Sequence, residues 1–361
     1  MAAQNKITHG QLSCLVFSYL SGFSTLFLSE AALLKQDVWM SYLIGMTLAI
    51  GMLWLLCYVQ WKHPLLTMVE ISDKLFGHWV SRLVLMIYLI YMLEMQAAAC
   101  RALSTFYTTV VIPNMPSNQM ILLIILCTTY ATYLGLTTIV RAVQITLPFF
   151  LVGILIICFF LLRDVETNPF LPQFQHSFSE VMYGSLLSLY FPFGKLVVFG
   201  FLLARVKNMK KIFSSSIFGL ILAALYLLVS AYLTLGTIGI HLAGTATFPF
   251  FSSIQMVKFG EYLERIEITI IGIWTIFTLF EIVVLQYVFT ILLRHVFRIK
   301  NMKPFILPIG LLFFISAQKS FLRLSDLTFY NLNIAPFSTM LPIAIIPIML
   351  SIMTLLRKEK T

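Results

Sequence analysis

The chain is predicted to be an all-α polytopic membrane protein: ten transmembrane helices in a 5+5 inverted repeat, with the first and sixth helices broken. Three observations carry this reading. Hydrophobic residues fill 60% of 361 positions and charged residues only 11%, and the mean hydropathy is +0.95. A water-soluble chain of this length needs far more polar surface to cover its core. Apolar runs of roughly 20 residues, the length that crosses a hydrocarbon layer, recur along the whole chain between short polar interruptions. Helix-breaking residues then stand mid-run at matching places in the two halves. Such a chain transports, forms a channel, senses, or does chemistry within the membrane.

Charge, Pro and Gly set the limits of each span. The first runs near 10–35, ending at Lys35, and the second near 39–61, ending before Lys62. The third, near 81–110, stops before Pro113, and the fourth, near 119–135, stops at Gly135. The fifth lies near 141–162, between Arg141 and Arg163, and the sixth near 181–204, ahead of Arg205. The seventh, near 214–239, follows Lys210 and Lys211, and the eighth spans about 266–293, up to Arg294. The ninth, near 304–318, is framed by Lys303 and Lys319, and the tenth, near 337–356, ends at Arg357. Backbone groups in lipid must be paired within the segment, so these runs are helices; a barrel would show short alternating strands. The first run is not expected to be a cleaved signal, because it lacks a basic leader and a small-residue cleavage site. Segment 64–79, with Leu65, Met68, Val69, Leu75, Phe76 and Trp79 near one face, reads as an amphipathic interfacial helix.

The net charge of +10 is a topology signal, not a nucleic-acid footprint. With the N-terminus in the cytoplasm, 16 basic residues flank the inner ends of the spans. Six flank the outer ends: Lys35, Arg163, Lys258, Arg265, Lys319 and Arg323. This bias places both termini inside. The five cysteines (Cys14, Cys57, Cys100, Cys127, Cys158) all fall within spans, with no CxxC pair, and read as small apolar side chains. No zinc-protease, nucleophile-elbow, phosphate-loop or dinucleotide motif is present. Neither catalysis, nor a metal, nor a cofactor is expected. Trp39, Trp61 and Trp79 mark membrane–water boundaries.

The first break is Tyr19-Leu20-Ser21-Gly22-Phe23-Ser24-Thr25, a glycine among hydroxyl residues; the second is Tyr190-Phe191-Pro192-Phe193-Gly194-Lys195. Proline removes a backbone donor and clashes with the preceding turn, and glycine weakens a helix by about 1 kcal/mol. Five spans per half give the halves opposite orientation, so the two breaks fall in equivalent helices. Breaks in equivalent helices of inverted repeats point to a ligand site at the bilayer midplane. The candidate ligand-binding residues are accordingly Ser21, Gly22, Phe23, Ser24, Tyr190, Phe191, Pro192, Gly194 and Lys195.

Four charges lie deep within spans: Glu94 and Arg101 in the third, Lys195 in the sixth and Glu281 in the eighth. Each costs roughly 2.5–3.5 kcal/mol in lipid and so requires a partner or a purpose. Glu94 and Arg101 share one helical face, and two acids balance two bases. Lys195 is expected to approach either Glu94 or Glu281. The set is either a group of interhelical staples or part of the ligand site, and on the second reading Glu94, Arg101 and Glu281 join the candidates. Glu30, near the outer end of the first span, has room to snorkel toward water, with a role in the site as the alternative.

A series of short strings then becomes recognisable. Ile7-Thr8-x-x-Gln11, Asp37-x-Trp39, Gly135-Leu136 with Arg141, Phe191-Pro192-x-Gly194, Phe248-Pro249 and Leu263-Glu264-Arg265-Ile266-Glu267 occur in order. Together, over residues 7–357, they resemble the B subunit of bacterial spore germinant receptors. That family is similar to the LeuT-like amino-acid permeases of the amino acid–polyamine–organocation superfamily. The resemblance implies a subunit in the spore inner membrane, beside an A subunit and a lipoprotein C subunit. It would bind a small nutrient, an amino acid or a sugar, and trigger germination. An ion-coupled amino-acid permease and an ion or water conduit within a receptor complex share the same residues and remain open.

Overall fold

The computed structural model describes residues 6–22, 24, 27–64, 66–256, 267–321 and 323–357. Phe23, Leu65, Lys258, Glu264, Arg265, Lys358 and Lys360 therefore lie outside the described residues. Helix α1 (His9–Ser21) opens on a reciprocal cap: the Thr8 hydroxyl accepts from the Gln11 amide, and the Gln11 side chain accepts from the Thr8 amide at 2.8 Å. That exchange is the physical content of the Thr8-x-x-Gln11 string. The helix stops at Gly22, and the chain re-enters helix as α2 (Ser29–Leu34). Next come α3 (Val38–Lys62), α4 (Met68–Phe76) and α5 (His78–Phe106), the last extended by a wider turn over 107–111. Helices α6 (Ser117–Leu134) and α7 (Leu136–Arg163) meet at Gly135, whose φ of 88° is a conformation glycine adopts without strain.

The second half repeats the plan. Helix α8 (Phe178–Ser188) runs into the irregular turn Leu189–Phe193 and then a tight 3-10 segment, Gly194–Phe201. There follow α9 (Ile212–Thr245), interrupted at Gly239, then α10 (Pro249–Met256) and α11 (Glu267–Val296). Helix α12 (Ile306–Lys319) precedes a final run of α13 (Leu324–Phe329), α14 (Ala335–Ser338) and α15 (Ile346–Leu356). Eight described helical stretches are long and apolar enough to cross a bilayer. Helix α1, broken after 13 residues, and the 14-residue α12 fall short of that length alone, so helix length gives eight spans rather than ten.

Packing shows the internal symmetry. Helix α1 packs on α9, and its counterpart, α8 with the turn that follows, packs on α3. If each half maps on the other, α3 and α9 exchange, and these two contacts are one contact seen twice. Likewise α5 against α12 exchanges with α11 against α6, while α3–α9, α5–α11 and α6–α12 each map onto themselves. A short backbone bridge closes one end of the interface: the Ile7 amide donates to the Arg205 carbonyl at 3.0 Å, and the Lys207 amide donates to the Ile7 carbonyl at 2.9 Å.

Two local expectations change. Helix α4 does form, but Met68, Val69, Ile71 and Leu75 are buried against α5, α15 and segment 194–201. Among the described residues of the face that periodicity assigned to the membrane surface, Met68, Val69 and Leu75 are covered by protein, Phe76 is half-buried and Trp79, 80% exposed, is left open. The second change concerns Glu30. Leu28, at φ −134° and ψ 56°, turns the chain before α2, and this carries Glu30 inward to 4% exposure. There its carboxylate accepts from the Ser188 hydroxyl at 3.2 Å, and Ser188 also bonds Ser41. Position near the end of the first apolar run put Glu30 at the outer rim; the turn at Leu28 brings it into the core.

Candidate functional site

Both expected breaks are present. At the first, α1 ends in Ser21 and Gly22 breaks the helical path with ψ of −85°. Gly22 allows α1 to lie flush on α11: a Cβ there would fall 2.8 Å from the Phe277 carbonyl carbon and 3.0 Å from the Thr278 nitrogen. At the second, Phe191 is extended at φ −144° and ψ 118°, the conformation that a following proline enforces. Pro192 withholds its N–H, and a Cβ on Gly194 would collide with the Leu189 carbonyl oxygen. The regular helical path is therefore interrupted in both spans: the Gly22 amide still donates to the Ser18 carbonyl at 3.3 Å before the chain turns away, and the Gly194 amide reaches the Leu189 carbonyl, five residues back instead of four.

Between the breaks lies a fully buried ion pair. The Lys195 ammonium donates to Glu281 Oε1 at 2.8 Å, with the two side chains 0% and 2% exposed. Of the two acids expected for Lys195, packing selects Glu281. The ammonium also stands 5.3 Å from the centre of the Tyr19 ring and 4.8 Å from that of Phe191. Each contact of this kind contributes about 0.5–2 kcal/mol once desolvated. One residue from each break, Tyr19 and Phe191, thus faces a charge held by α11.

The pair does not use all the polar capacity around it. Glu281 Oε2 and the hydroxyls of Tyr19, Tyr91, Thr278 and Ser24 are buried and have no hydrogen-bond partner among the described residues. Tyr19 lies within electrostatic reach of both Glu281 and Tyr91, and Thr278 backs Gly22. Buried polar groups in folded proteins are nearly always paired. The Tyr19 and Tyr91 hydroxyls, near the spare carboxylate oxygen of Glu281, are therefore equipped to hold a small polar molecule.

The other candidates spread outward from this centre. Glu94 accepts from the Tyr330 hydroxyl at 2.8 Å, and Tyr190 donates to Asn331 at 3.0 Å, so the final helical run closes over the third and sixth spans. Arg101 is turned elsewhere: it donates to Ser117 at 3.0 Å and to the Gln318 carbonyl at 3.4 Å, at the junction of α6 and α12. The four charges do not form one neutralising set, because Lys195 and Glu281 pair alone. Ser21 spends its hydroxyl on the Phe17 carbonyl of its own helix. Sequence reasoning placed Tyr19 in the first break and Tyr91 on the Glu94 face without naming either as a ligand residue, and passed over Tyr330 and Asn331, since nothing singles out polar tips among 15 tyrosines and the asparagines near the last span. Among the described residues no group of His, Cys, Asp and Glu is arranged to hold a metal ion. Outside the spans, burial would raise the Asp73 carboxyl. The nearby Ser81 hydroxyl and the imidazoles of His295, at 2.7 Å, and His78, at 3.3 Å, outweigh that and hold it below its ordinary value.

Comparison with known proteins agrees with this geometry. The fold is similar to that of a Na+-coupled sialic acid symporter solved in a substrate-bound outward-open state: TM-score 0.69, 13% identity, 95% of this chain and 80% of that one covered. It is equally similar to MhsT solved in complex with L-phenylalanine: TM-score 0.68, 14% identity, coverage 96% and 88%. Both are transporters of the LeuT fold, which this chain shares. Spore germination protein KB of Bacillus subtilis (strain 168) is 20% identical over 98% of this chain and 96% of its own length. Spore germination protein YndE of the same organism is 22% identical over 85% of each chain. The spore-permease profile, described as spore germination protein, matches residues 6–320. A broken-helix bundle with relatives of this kind along nearly its full length belongs to the spore germination protein family of permeases.

Proposed function

We propose that the chain is the nutrient-sensing subunit of a bacterial spore germinant receptor. It binds an amino acid or a sugar between its two broken helices and passes the signal on without chemically altering the ligand. The observation that carries this reading is the buried Lys195–Glu281 pair, with Glu281 Oε2 and the Tyr19 and Tyr91 hydroxyls within its electrostatic reach all lacking hydrogen-bond partners among the described residues. In this reading Ser21–Ser24, Tyr190–Pro192, Gly194, Lys195 and Glu281 form the ligand site. Glu94 extends it toward the closing helices through Tyr330, and Arg101 lies farther out on the same face, where it ties α5 to the α6–α12 junction. The first helix with its break and α12 complete ten spans in the bilayer of the spore inner membrane, with the A subunit and the lipoprotein C subunit as partners.

The alternative is an ion-coupled permease working from the same site. One feature favours the sensor: the cation that balances Glu281 is Lys195, covalently part of the chain and unable to leave with a solute. Reconstituted vesicles separate the two. Saturable binding of a nutrient without counterflow of the labelled molecule is the expected result, and saturable counterflow would make the protein a permease.

The charge bias makes a separate prediction about orientation. In a background lacking the five native cysteines, Ser252→Cys should react with an impermeant thiol reagent from outside intact membranes. Asn208→Cys should react only after permeabilisation. The opposite pattern would invert the topology and with it both partner assignments.

A further inference from the structure

A second charged feature lies away from the broken helices. A cavity of about 560 Å³ is walled by α4, the start of α5, the end of the sixth span and the end of α11. Five permanent cations line it: Arg82, Arg205, Arg294, Arg298 and Lys300. Among the described residues none of them pairs with a carboxylate. The two acids of the wall are already engaged. Glu70 closes the cap of α4 by accepting from the Thr67 amide and hydroxyl, both at 2.8 Å, and Asp73 holds His295 and His78. Ordinary inner-rim basic residues spread outward into water. These five line one concavity, Arg82 and Arg205 half-buried and Arg294, Arg298 and Lys300 exposed.

The backbone holds them there. After α11 the chain folds back, with the Ile299 amide donating to the Arg294 carbonyl at 2.9 Å and Arg294 Nε donating to the Ile299 carbonyl at 3.3 Å. The turn places Arg298 at φ 53°, in the left-handed region where glycine is free of strain and an arginine is not. With the Arg298 amide donating to the His295 carbonyl at 3.2 Å, these bonds make the usual left-handed helix termination, here with an arginine where glycine is commoner, and they fix the course of the Arg294–Lys300 turn.

We propose that this cavity binds a phosphate-bearing anion, and that the bound anion braces α11 against the end of the sixth span. Arginine forks match phosphate oxygens in pairs, and five cations around one cavity suit a multiply charged anion better than a chloride. The bracing follows from the connections already present. Arg205 donates to the Tyr287 hydroxyl of α11 at 2.7 Å, and its carbonyl receives the Ile7 amide at the foot of α1. An anion spanning Arg205 and the Arg294–Lys300 turn would therefore clamp the two elements that carry Lys195 and Glu281, together with the bridge to α1. A free phosphate compound and a lipid headgroup offer the same chemistry, and an experiment distinguishes the sources.

The test measures thermal protection of the full chain in nanodiscs of phosphatidylcholine, with inorganic pyrophosphate added at constant ionic strength, and in discs that also contain phosphatidylglycerol. Wild type should be protected in at least one arm. Protection by pyrophosphate assigns a soluble anion, and protection by phosphatidylglycerol alone assigns a headgroup. In Arg298→Gly combined with Lys300→Gln the half-saturating concentration should rise at least tenfold, consistent with losing about two charge-assisted contacts. Because glycine relaxes the turn, that variant should still fold. A Lys207→Gln, Lys210→Gln, Lys211→Gln variant loses more charge outside the cavity and should respond as wild type. No protection in either arm would overturn the proposal. So would an unchanged response of the cavity variant, an equal loss in the control, or binding of a polyglutamate peptide alone, which would mark the cavity as a dock for an acidic chain.

Discussion

Replacing Lys195 by Met should destabilise the protein by up to about 4 kcal/mol at neutral pH, and replacing Glu281 by Leu by up to about 5 kcal/mol. Both ceilings follow from the buried pair. A charge left alone in the core escapes its desolvation cost by changing protonation state. Neutralising a carboxylate at pH 7 costs the gap from its ordinary value near 4.3, and neutralising an ammonium costs the gap from about 10.4. The two Tyr19 and Phe191 ring contacts stay with Lys195 in Glu281→Leu and soften that loss. The signs of the pH dependence are opposite. Folded Lys195→Met holds a proton on Glu281 that the unfolded chain has released, so its deficit against wild type shrinks as pH falls. The deficit of Glu281→Leu shrinks as pH rises. The double variant, nearly equal in volume, should recover most of the stability, because removing both members of a buried pair is often close to neutral. It should not recover nutrient-triggered germination if the pair lines the ligand site. Thermal melts across pH, with germination curves for the same variants, read all of this. Single variants as stable as wild type would exclude the ion pair, and a double variant germinating normally would exclude it from the site.

The fold was legible because membrane solvation leaves few choices. An apolar run of about 20 residues must be helix, and Pro192 with Gly194 in mid-run can only interrupt it. The need of Lys195 for a counter-charge was equally plain, since an unpaired ammonium at that depth is too costly. What sequence left undecided was the partner: Glu94 and Glu281 were equivalent until tertiary packing set α11, not α5, beside the second break. Glu94 and Arg101 illustrate the limit. Their spacing of seven correctly puts both on one face of α5, yet that face passes Tyr330 at one level and Ser117 at the next, so they serve different contacts. Glu30 was misplaced for a related reason. Its place near the end of the apolar run suggested the rim, and position along a run does not show which way the chain turns after a break, here at Leu28. The hydroxyls around the pair were the least visible part, because aromatic residues fill lipid-facing positions and site positions alike, and only their neighbours tell them apart.

The two ends of α1 should respond oppositely to one and the same substitution. Gly22→Ala is expected to destabilise the protein by about 1–3 kcal/mol, the usual cost of forcing an extra carbon into a packed interface. The new methyl would meet Phe277 and Thr278 backbone atoms at 2.8 and 3.0 Å, and backbone gives way less readily than a side-chain tip. Relief would come from α1 lifting off α11 at the level of Thr278, one turn before Glu281, which would draw the Tyr19 ring away from Lys195. Gly22→Ala should therefore also blunt the nutrient response, at protein levels where wild type responds fully. Gly10→Ala, in the first turn of the same helix, meets nothing within 4 Å. It should be neutral or stabilising by about 0.5–1 kcal/mol, the ordinary gain when alanine replaces glycine in a helix. If both substitutions shift the melting temperature alike, α1 does not make the close approach to α11 on which the site depends. If Gly22→Ala lowers stability while leaving germination intact, the first break is an element of packing alone, and the nutrient binds elsewhere.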